Sequence, residues 1–600
     1  MNNPLRMEKI RNPLLRAAVK KISSIDVLEQ WYDDWLLIQP SDRGDPSESA
    51  DEFIDYVLER LDVRADVIHK HLLDTIPKEG PIVIVANHPL GAVEGLLLTR
   101  VLKSVRPDLR VLTNDLLRMV PEFKEVFIGV NVLNKGKEKE NAKGIREVAK
   151  HLDDNGALLV FPAGTVSKLK LPSLSITDAP WNTMITRLAR KYNAPIMPIF
   201  VEGRNSLAFY LSGYIHKRLR TLLLIRATLN KAGMAIPFHI GALIPNSDIV
   251  RLKNDTIATH YIRLCCKILK PDYNEEEEEN DEAINALEMT PIKQDIDKSV
   301  ILEHLERIKE HNLYSQGKFS LYCVPYQEMG PLLEQLAIER ERTFRTVEEG
   351  TGKELDSDRF DPHYMHLFLW DEEEQRIAGG YRIGKTDEIL EDQGINGLYS
   401  HSLFDYNVNF LHKMGKTIEL GRSFVTPEYQ RHPMALDMLW KGIGKFVANN
   451  PEYHTLFGCV SISRQYSKLA TTLLCETLLS HYSVDDTIQR HVKARTPMDK
   501  LKGPWTKRQL ANLSGIPVIN KLVGRIDSGK SIPILISHYL ALNGRFVSFT
   551  VNEGFNRSMD GLIVVDLRKS SGRYLNRYMG EDGYQNFMKQ WKEKEKKDVA

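Results

Sequence analysis

An imidazole stands six residues ahead of a carboxylate in Asn87-His88-Pro89-Leu90-Gly91-Ala92-Val93-Glu94, directly after the apolar run Pro81–Ala86. Moving an acyl group onto a hydroxyl needs a base to take the hydroxyl proton and an acid to hold that base in one tautomer. His88 and Glu94 supply both if a helix beginning near Gly91 folds Glu94 back toward His88, with apolar neighbours keeping the imidazole neutral. Further along, a second apolar run ends in Phe161-Pro162-Ala163-Gly164-Thr165, a Pro/Gly turn able to aim backbone N–H groups at a substrate oxygen. A third run, Pro198–Val201, leads in the same way into Glu202-Gly203. Each piece alone is more often a strand-end structural histidine or an ordinary turn; together and in order they are far more specific.

A different set follows: Arg340 and Phe344; Asp356, Asp358 and Asp361; Arg382 after Gly379-Gly380-Tyr381; and Glu419-Leu420-Gly421-Arg422. Acylating an amine requires the amine deprotonated and the acyl donor held in line. Clustered carboxylates can bind a cationic amino acid and accept its proton, while arginines hold a substrate carboxylate or the phosphate of a carrier arm. The plainer alternatives are a solvated acidic loop and a structural ion pair.

These residues need elements to hold them. Periodicity predicts helices over 51–61, 64–73, 91–101, 141–153 and 181–192, and strands over 81–86, 110–114, 127–132, 157–161 and 196–201. Later come helices over 329–344 and 433–449, a hairpin over 365–370 and 376–383, and strands over 416–425, 455–462 and 546–550. Strands alternating with helices imply an α/β layer structure in both halves. At 600 residues the chain is too long for one core, and the run Glu275–Glu279 marks the division. A block of like charge repels itself and buries nothing, so 271–300 reads as an acidic linker between domains 1–270 and 301–600.

Net charge is +1, but 168–270 holds sixteen Lys/Arg against four Asp/Glu. Such a surface suits anionic lipid headgroups or an acidic carrier protein; nucleic acid ranks lower because no nucleic-acid-binding motif accompanies the charge. Five unpaired-looking cysteines argue against a disulfide framework or zinc site and fit a reducing cytoplasm. No metal-ligand cluster is evident. No apolar run approaches the roughly 18 residues of a spanning helix, which disfavours a membrane-disrupting protein. Met1–Ser23 reads either as a basic amphipathic helix lying on a membrane or as one packed on its own domain.

The first set resembles the glycerolipid and lysophospholipid acyltransferases over about residues 65–245, with NHx4D, FPEGTR-like and VP-like blocks. The resemblance implies His88 as general base, Glu94 as its orienting acid, substrate binding at Asn87, Phe161, Pro162, Gly164, Thr165, Glu202 and Gly203, and a thioester donor. Two departures matter: the spacing is His-x5-Glu, and Ala163 and Val166 replace the block's Glu and Arg. That Arg normally holds a phosphate, so its absence suggests an acceptor without one, although Lys168 or Lys170 can substitute.

The second set resembles the acyl-carrier-protein-dependent branch of the GNAT-like fold, including the acyl-homoserine lactone synthases and, more closely, the ornithine N-acyltransferases, over about 318–570. It implies catalytic Glu419 and Arg422, with Arg340, Phe344, Asp356, Asp358, Asp361 and Arg382 binding substrate. Gln430-Arg431-His432-Pro433 lacks the glycines that cradle a coenzyme A pyrophosphate, which favours an acyl-carrier protein as donor. Together the halves resemble the bifunctional ornithine lipid synthases. That implies N-acylation of an amino acid (ornithine first, then glycine, serine or glutamine) with a 3-hydroxyacyl group, then O-acylation of the lyso-aminolipid. Acyl-carrier protein or acyl-coenzyme A enters only as substrate, with no bound cofactor, and the enzyme sits peripherally on the inner face of the cytoplasmic membrane. The alternative is a lysophosphatidic acid-type O-acyltransferase whose second half only docks the carrier.

Overall fold

The computed structural model describes residues 3–6, 12–38, 46–130, 138–171, 174–271, 289–499, 501, 503–513 and 515–599. The chain divides into two compact units, Met1–Pro271 and Asp272–Ala600.

Among the described residues the first unit has nine strands: β1 (Arg64–Ile68), β2 (Ile82–Ala86), β3 (Arg110–Asn114), β4 (Phe127–Val130), β5 (Ala157–Val160), β6 (Lys168–Lys170), β7 (Ser175–Thr177), β8 (Ile196–Val201) and β9 (Ala235–Ile240). Seven form one sheet in the order β1-β9-β8-β2-β5-β3-β4, while β6 and β7 make a separate hairpin. The five strands from β8 to β4 run parallel; β9 is antiparallel to β8 and carries β1 parallel to itself. Every residue of β2 is buried. Ile82, Ile84 and Ala86 pack with Phe53, Ile54, Val93 and Leu97 from the helices Pro46–Leu61 and Ala92–Lys103. Val83 and Val85 point to the opposite, equally buried face, the usual state of a central parallel strand. Neighbouring β5, β2 and β8 thus end on one edge and deliver Phe161, Asn87-His88 and Glu202 there.

The second unit continues with β10 (Asn312–Gln316), β11 (Phe319–Pro325), β12 (Met365–Asp371), β13 (Arg376–Lys385), β14 (Phe404–Tyr406), β15 (Thr417–Val425), β16 (Thr455–Ile462), β17 (Val492–Ala494), β18 (Arg545–Asn552) and β19 (Ser558–Asp566). Eight form a sheet ordered β10-β11-β12-β13-β15-β16-β19-β18, and β14 pairs with β17 apart from it. Only β15 and β16 are parallel, and they pair only from Thr417–Leu420 to Thr455–Gly458. Beyond that, β15 pairs with β13 alone and β16 with β19 alone, so the strands part and a gap opens in the sheet. Opposite Tyr381 of β13, β15 places two residues, Arg422 and Ser423, a bulge that starts at left-handed Arg422, φ 49°. Such bulges re-aim side chains where pairing ends.

Two expectations need correction. Arg64–Leu73 is not a single helix: Arg64–Ile68 is an edge strand whose pairing with β9 overrides a helical spacing, and only the short 3₁₀ turn Lys70–Thr75 is helical. Of the strand expected over 127–132, Phe127–Val130 is present, and 131–132 lie outside the described residues. The linker expected through 300 ends early. Residues 272–288 lie outside the described ones, but from 289 the chain is anchored on the second unit. Thr290 N–H donates to Gly352 O at 2.9 Å, Lys293 N–H to Glu354 O at 2.9 Å, and Asp295 pairs with Arg342 at 2.7 Å. The helix Lys298–Arg307 follows, capped by Asp297. The acids here are spaced among apolar residues, and Ile301 and Leu305 are buried. The described part of the N-terminal segment includes a helix, Pro13–Ser23, with Leu14 and Leu15 exposed.

A Cβ on Gly458 would fall 2.1 Å from the Leu420 carbonyl oxygen, so the strands approach as they do only because that residue lacks a side chain. Gly458→Ala is expected to destabilise the second unit by about 1–3 kcal/mol in denaturant unfolding. An unchanged midpoint would show that β15 and β16 are not so tightly paired.

Candidate active sites

In the first unit, the helix beginning at Ala92 makes Glu94 its third residue, and the fully buried carboxylate turns back on the preceding loop. Its Oε1 accepts N–H bonds from Leu90 at 3.0 Å and Gly91 at 2.7 Å and lies 2.9 Å from His88 Nδ1. Two peptide dipoles thus hold the carboxylate at ion-pair distance from the imidazole, although the angle at Nδ1 is not that of a hydrogen bond. The ring packs on Phe161 with centroids 4.6 Å apart. Its backbone is pinned as well: Ser167 N–H donates to His88 O at 2.7 Å, and Asp178 Oδ1 accepts from His88 N–H at 3.3 Å and from Ser167 Oγ at 2.5 Å.

His88 opens into an apolar cavity of about 1160 Å³. Phe161, Pro162, Gly164 and Thr165 line it near His88, as the sequence suggests, and Trp31 and Phe53 line it from helices earlier in the chain. Gly164 takes φ 63° and closes its turn on the Phe161 carbonyl. Thr165 Oγ1 is buried on this wall with no protein partner among the described residues.

Three expected substrate contacts lie elsewhere. Asn87 spends its amide on the backbone of Val201, donating at 2.9 Å and accepting at 2.6 Å, because strand β8 ends with those groups unpaired; it positions His88. Glu202 pairs with His239. Gly203, φ 117°, packs where a Cβ would meet Leu90 at 2.9 Å. Lys168 and Lys170 flank buried Leu169 on the hairpin and do not line the cavity. Asp178 and Ser167 were not anticipated; the signal was Asp178 itself, a rare acid in a basic stretch.

In the second unit the six expected charged residues close on one another. Arg340 reaches Asp361 at 3.0 Å and Asp356 at 3.4 Å; Arg382 reaches Asp358 at 2.6 Å and Asp361 at 3.1 Å; Arg422 reaches Asp356 at 2.9 Å and Asp358 at 2.8 Å. Burial alone would raise the Asp361 carboxyl, yet Arg340 and Arg382 hold it well below the ordinary carboxylate range. Three cations cancel three anions, so the expected acidic pocket for a substrate cation is absent at Asp356, Asp358 and Asp361. Phe344 packs between Phe424 and Phe555. Glu419 is also not a surface base: it is 1% exposed and accepts N–H bonds from Tyr399 at 3.1 Å and Ser400 at 2.7 Å, and an O–H bond from Tyr364. It anchors the segment whose Tyr399 ring stacks on Arg422, 4.8 Å away.

A second acidic group, unforeseen, lies where β15 and β16 part. Ser461 on β16 registers with Asp560 on β19 and donates to Glu349 Oε2 at 2.9 Å. Asn552 bridges Asp560 Oδ2 at 2.5 Å and the Tyr399 hydroxyl at 3.2 Å. Burial, with the Asp560 charge adding to it, pushes the Glu349 carboxyl up to about 8; burial lifts Asp560 to about 6. Near neutral pH the Asp560 carboxyl is therefore mostly ionised and able to receive an ammonium's proton, whereas Glu349 is mostly protonated. Away from both sites, ligand-type atoms of Glu310, His311 and Glu328 lie within 4.8 Å of one another; the 2.8 Å pair between His311 and Glu328 accounts for this partly exposed trio.

These sites define a class. Residues 51–231 match the acyltransferase family and residues 340–441 the acetyltransferase (GNAT) domain family. The chain is an acyltransferase, with an acyltransferase domain ahead of a GNAT domain. A glycine N(alpha)-acyltransferase of Phocaeicola vulgatus is 29% identical over 280 residues, 43% of this chain and 83% of that protein. A lyso-glycine lipid O-acyltransferase of the same organism is 28% identical over 169 residues, 28% of this chain and 57% of that protein. An L-ornithine N(alpha)-acyltransferase of Brucella abortus is 26% identical over 266 residues, 43% of this chain and 83% of that protein.

Two tests follow from the charges. Asp361→Ala leaves Arg340 and Arg382 short of a partner and is expected to cost about 3–5 kcal/mol in denaturant unfolding; a loss under 1 kcal/mol, within the range of a surface pair, contradicts the closed network. Glu349 favours its neutral form when folded, so its contribution is complete below the unfolded value of about 4.3 and is lost as pH rises through about 8. Glu349→Gln therefore gains melting temperature over the parent protein progressively from about pH 5 to pH 9, and parallel curves would show the carboxyl ionised throughout.

Proposed function

We propose that the chain builds a doubly acylated aminolipid, the second unit acylating the amine of an amino acid and the first esterifying the hydroxyl of the product. The observation that carries this is the His88–Glu94 pair opening on an apolar cavity of about 1160 Å³, room for a fatty chain beside a base. His88 Nε2 takes the proton of the acceptor hydroxyl as its oxygen attacks the thioester carbonyl. The new C–O bond replaces the C–S bond, and the imidazolium returns the proton to the departing thiolate. Thr165 Oγ1 and the turn at Gly164 stand ready for the oxyanion.

In the second unit, Asp560 is the proposed proton acceptor for the substrate ammonium, with the protonated Glu349 carboxyl beside it. The amine then forms a C–N bond as the C–S bond breaks, and the proton that the nitrogen sheds leaves with the thiolate as thiol. Glu419 and the arginine–aspartate network hold this floor and do not react. Glycine replaces ornithine as the first choice of amino acid, since the three aspartates expected to meet an ornithine side chain are already neutralised. The glycine-poor loop before the helix Ala435–Asn449 favours acyl-carrier protein as donor, with the basic stretch 168–270 as its landing surface. Peripheral attachment to the inner membrane face is supported by exposed Leu14, Leu15, Leu174, Leu207 and Ile215; among the described residues no helix is long and apolar enough to cross a membrane.

Lipid mass spectra of a heterologous host should show diacyl aminolipid with the parent chain. With His88→Ala they should show the monoacyl intermediate, O-acylation falling about 10²–10⁴-fold. Near-parental O-acylation by the variant, or phosphatidic acid with no aminolipid, would overturn the proposal, and the headgroup mass separates glycine from ornithine.

A further inference from the structure

The helix Lys217–Leu229 lays one face along the O-acylation cavity: Arg220, Thr221, Leu224, Ile225 and Thr228, spaced three or four apart, all line it. Arg220 is the anomaly of that face. It is half-buried, its stem runs against Gly213, where a Cβ would meet Arg220 Cδ at 3.0 Å, and among the described residues no carboxylate pairs with its guanidinium. The surroundings oppose its charge: burial lowers the guanidinium's affinity for its proton, relieved only by neighbouring Tyr210. No Asp or Glu is among the residues lining the cavity; the other cation there, Arg6, is paired with Asp33. An unpaired, partly desolvated arginine costs free energy unless an anion arrives to use it.

We propose that Arg220 recognises the α-carboxylate of the lyso-aminolipid acceptor, taking the place of the phosphate-binding arginine that Val166 displaces from the Phe161–Ser167 block. This rests on reading the first unit as a lyso-aminolipid O-acyltransferase. The spacing fits. Leu224, one turn beyond Arg220, packs on Gly91, where a Cβ would fall 2.6 Å from Leu224 Cδ1, and Gly91 belongs to the loop that Glu94 holds beside His88. Arg220 therefore lies about 6 Å farther along the helix. In an N-(3-hydroxyacyl) amino acid six bonds separate the reacting hydroxyl oxygen from the carboxylate carbon, an extended span of about 7 Å. A guanidinium fork grips a carboxylate through two parallel N–H bonds, so the headgroup would be fixed as the hydroxyl meets His88 and the alkyl tail fills the apolar cavity.

The test uses the purified full-length chain, an acyl-carrier-protein thioester as donor, and two acceptors: N-(3-hydroxypalmitoyl)glycine and its carboxamide. For the carboxylate acceptor, Arg220→Gln is expected to raise KM about 10- to 100-fold with little change in kcat. The carboxamide should be a poor substrate for the parent enzyme and equally poor for the variant, and Arg220→Lys should recover part of the loss. Melting temperatures of both variants confirm folding; should Arg220→Gln not fold, Arg220→Lys must still show the acceptor-specific rise in KM. An unchanged KM for the carboxylate acceptor, or a rise confined to the acyl donor, overturns the assignment, the latter placing the donor's phosphate at Arg220. If the parent enzyme acylates neither acceptor, the reading of the first unit itself fails, and the Arg220 assignment falls with it.

Discussion

A buried carboxylate without a cation beside it persists in a fold only where N–H or O–H groups are aimed at it. Both units are organised around that constraint. Glu94 collects the N–H groups of Leu90 and Gly91, and Glu419 those of Tyr399 and Ser400. Each is thereby a clamp on a loop that must not move. In the first unit the clamped loop carries an imidazole and the clamp touches it, so one carboxylate serves architecture and chemistry together. In the second unit the clamp holds Tyr399 against Arg422, and the two carboxyls with raised values lie apart from it, Asp560 on β19 and Glu349 on the loop after the helix Pro331–Arg345. Similar local physics holds an imidazole-bearing loop in one domain and a tyrosine-bearing loop in the other.

The sheet of the second unit extends the same logic. Parallel pairing of β15 with β16 stops after four residues, and the bulge at Arg422 turns its guanidinium into a cluster with Arg340, Arg382 and three aspartates. Equal numbers of cations and anions in so small a volume are tolerable because each charge meets two of the opposite sign. Arg422 is also near enough to Asp560 for its charge to oppose the rise that burial imposes on that carboxyl.

Much of the first site was legible because it is local. His88 and Glu94 are joined by a single loop, and a helix beginning at Ala92 makes the unusual x5 spacing work. The strands carrying the motifs were readable for a similar reason: β2, β5 and β8 are buried on both faces and appear as unbroken apolar runs. What depended on distant partners was not legible. β1 exists through its pairing with β9, and 64–68 alone looks helical. The role of Asp356, Asp358 and Asp361 turns on arginines from the helix Pro331–Arg345 and from strands β13 and β15, which no spacing reveals. Asn87 looked like a substrate contact because it adjoins His88, whereas its amide completes the end of strand β8. Glu349, on a loop between predicted elements, gave no pattern at all.

The cavity beside His88 is lined in part by Trp31, Tyr32, Phe53 and Val57, side chains from helices that precede both sequence motifs of the first unit. The loop that holds the imidazole and these apolar walls are therefore encoded in separate stretches of the chain. Bulk added or removed at those four positions alters the volume of the cavity without touching the His88–Glu94 pair, so its capacity and its chemistry can change independently.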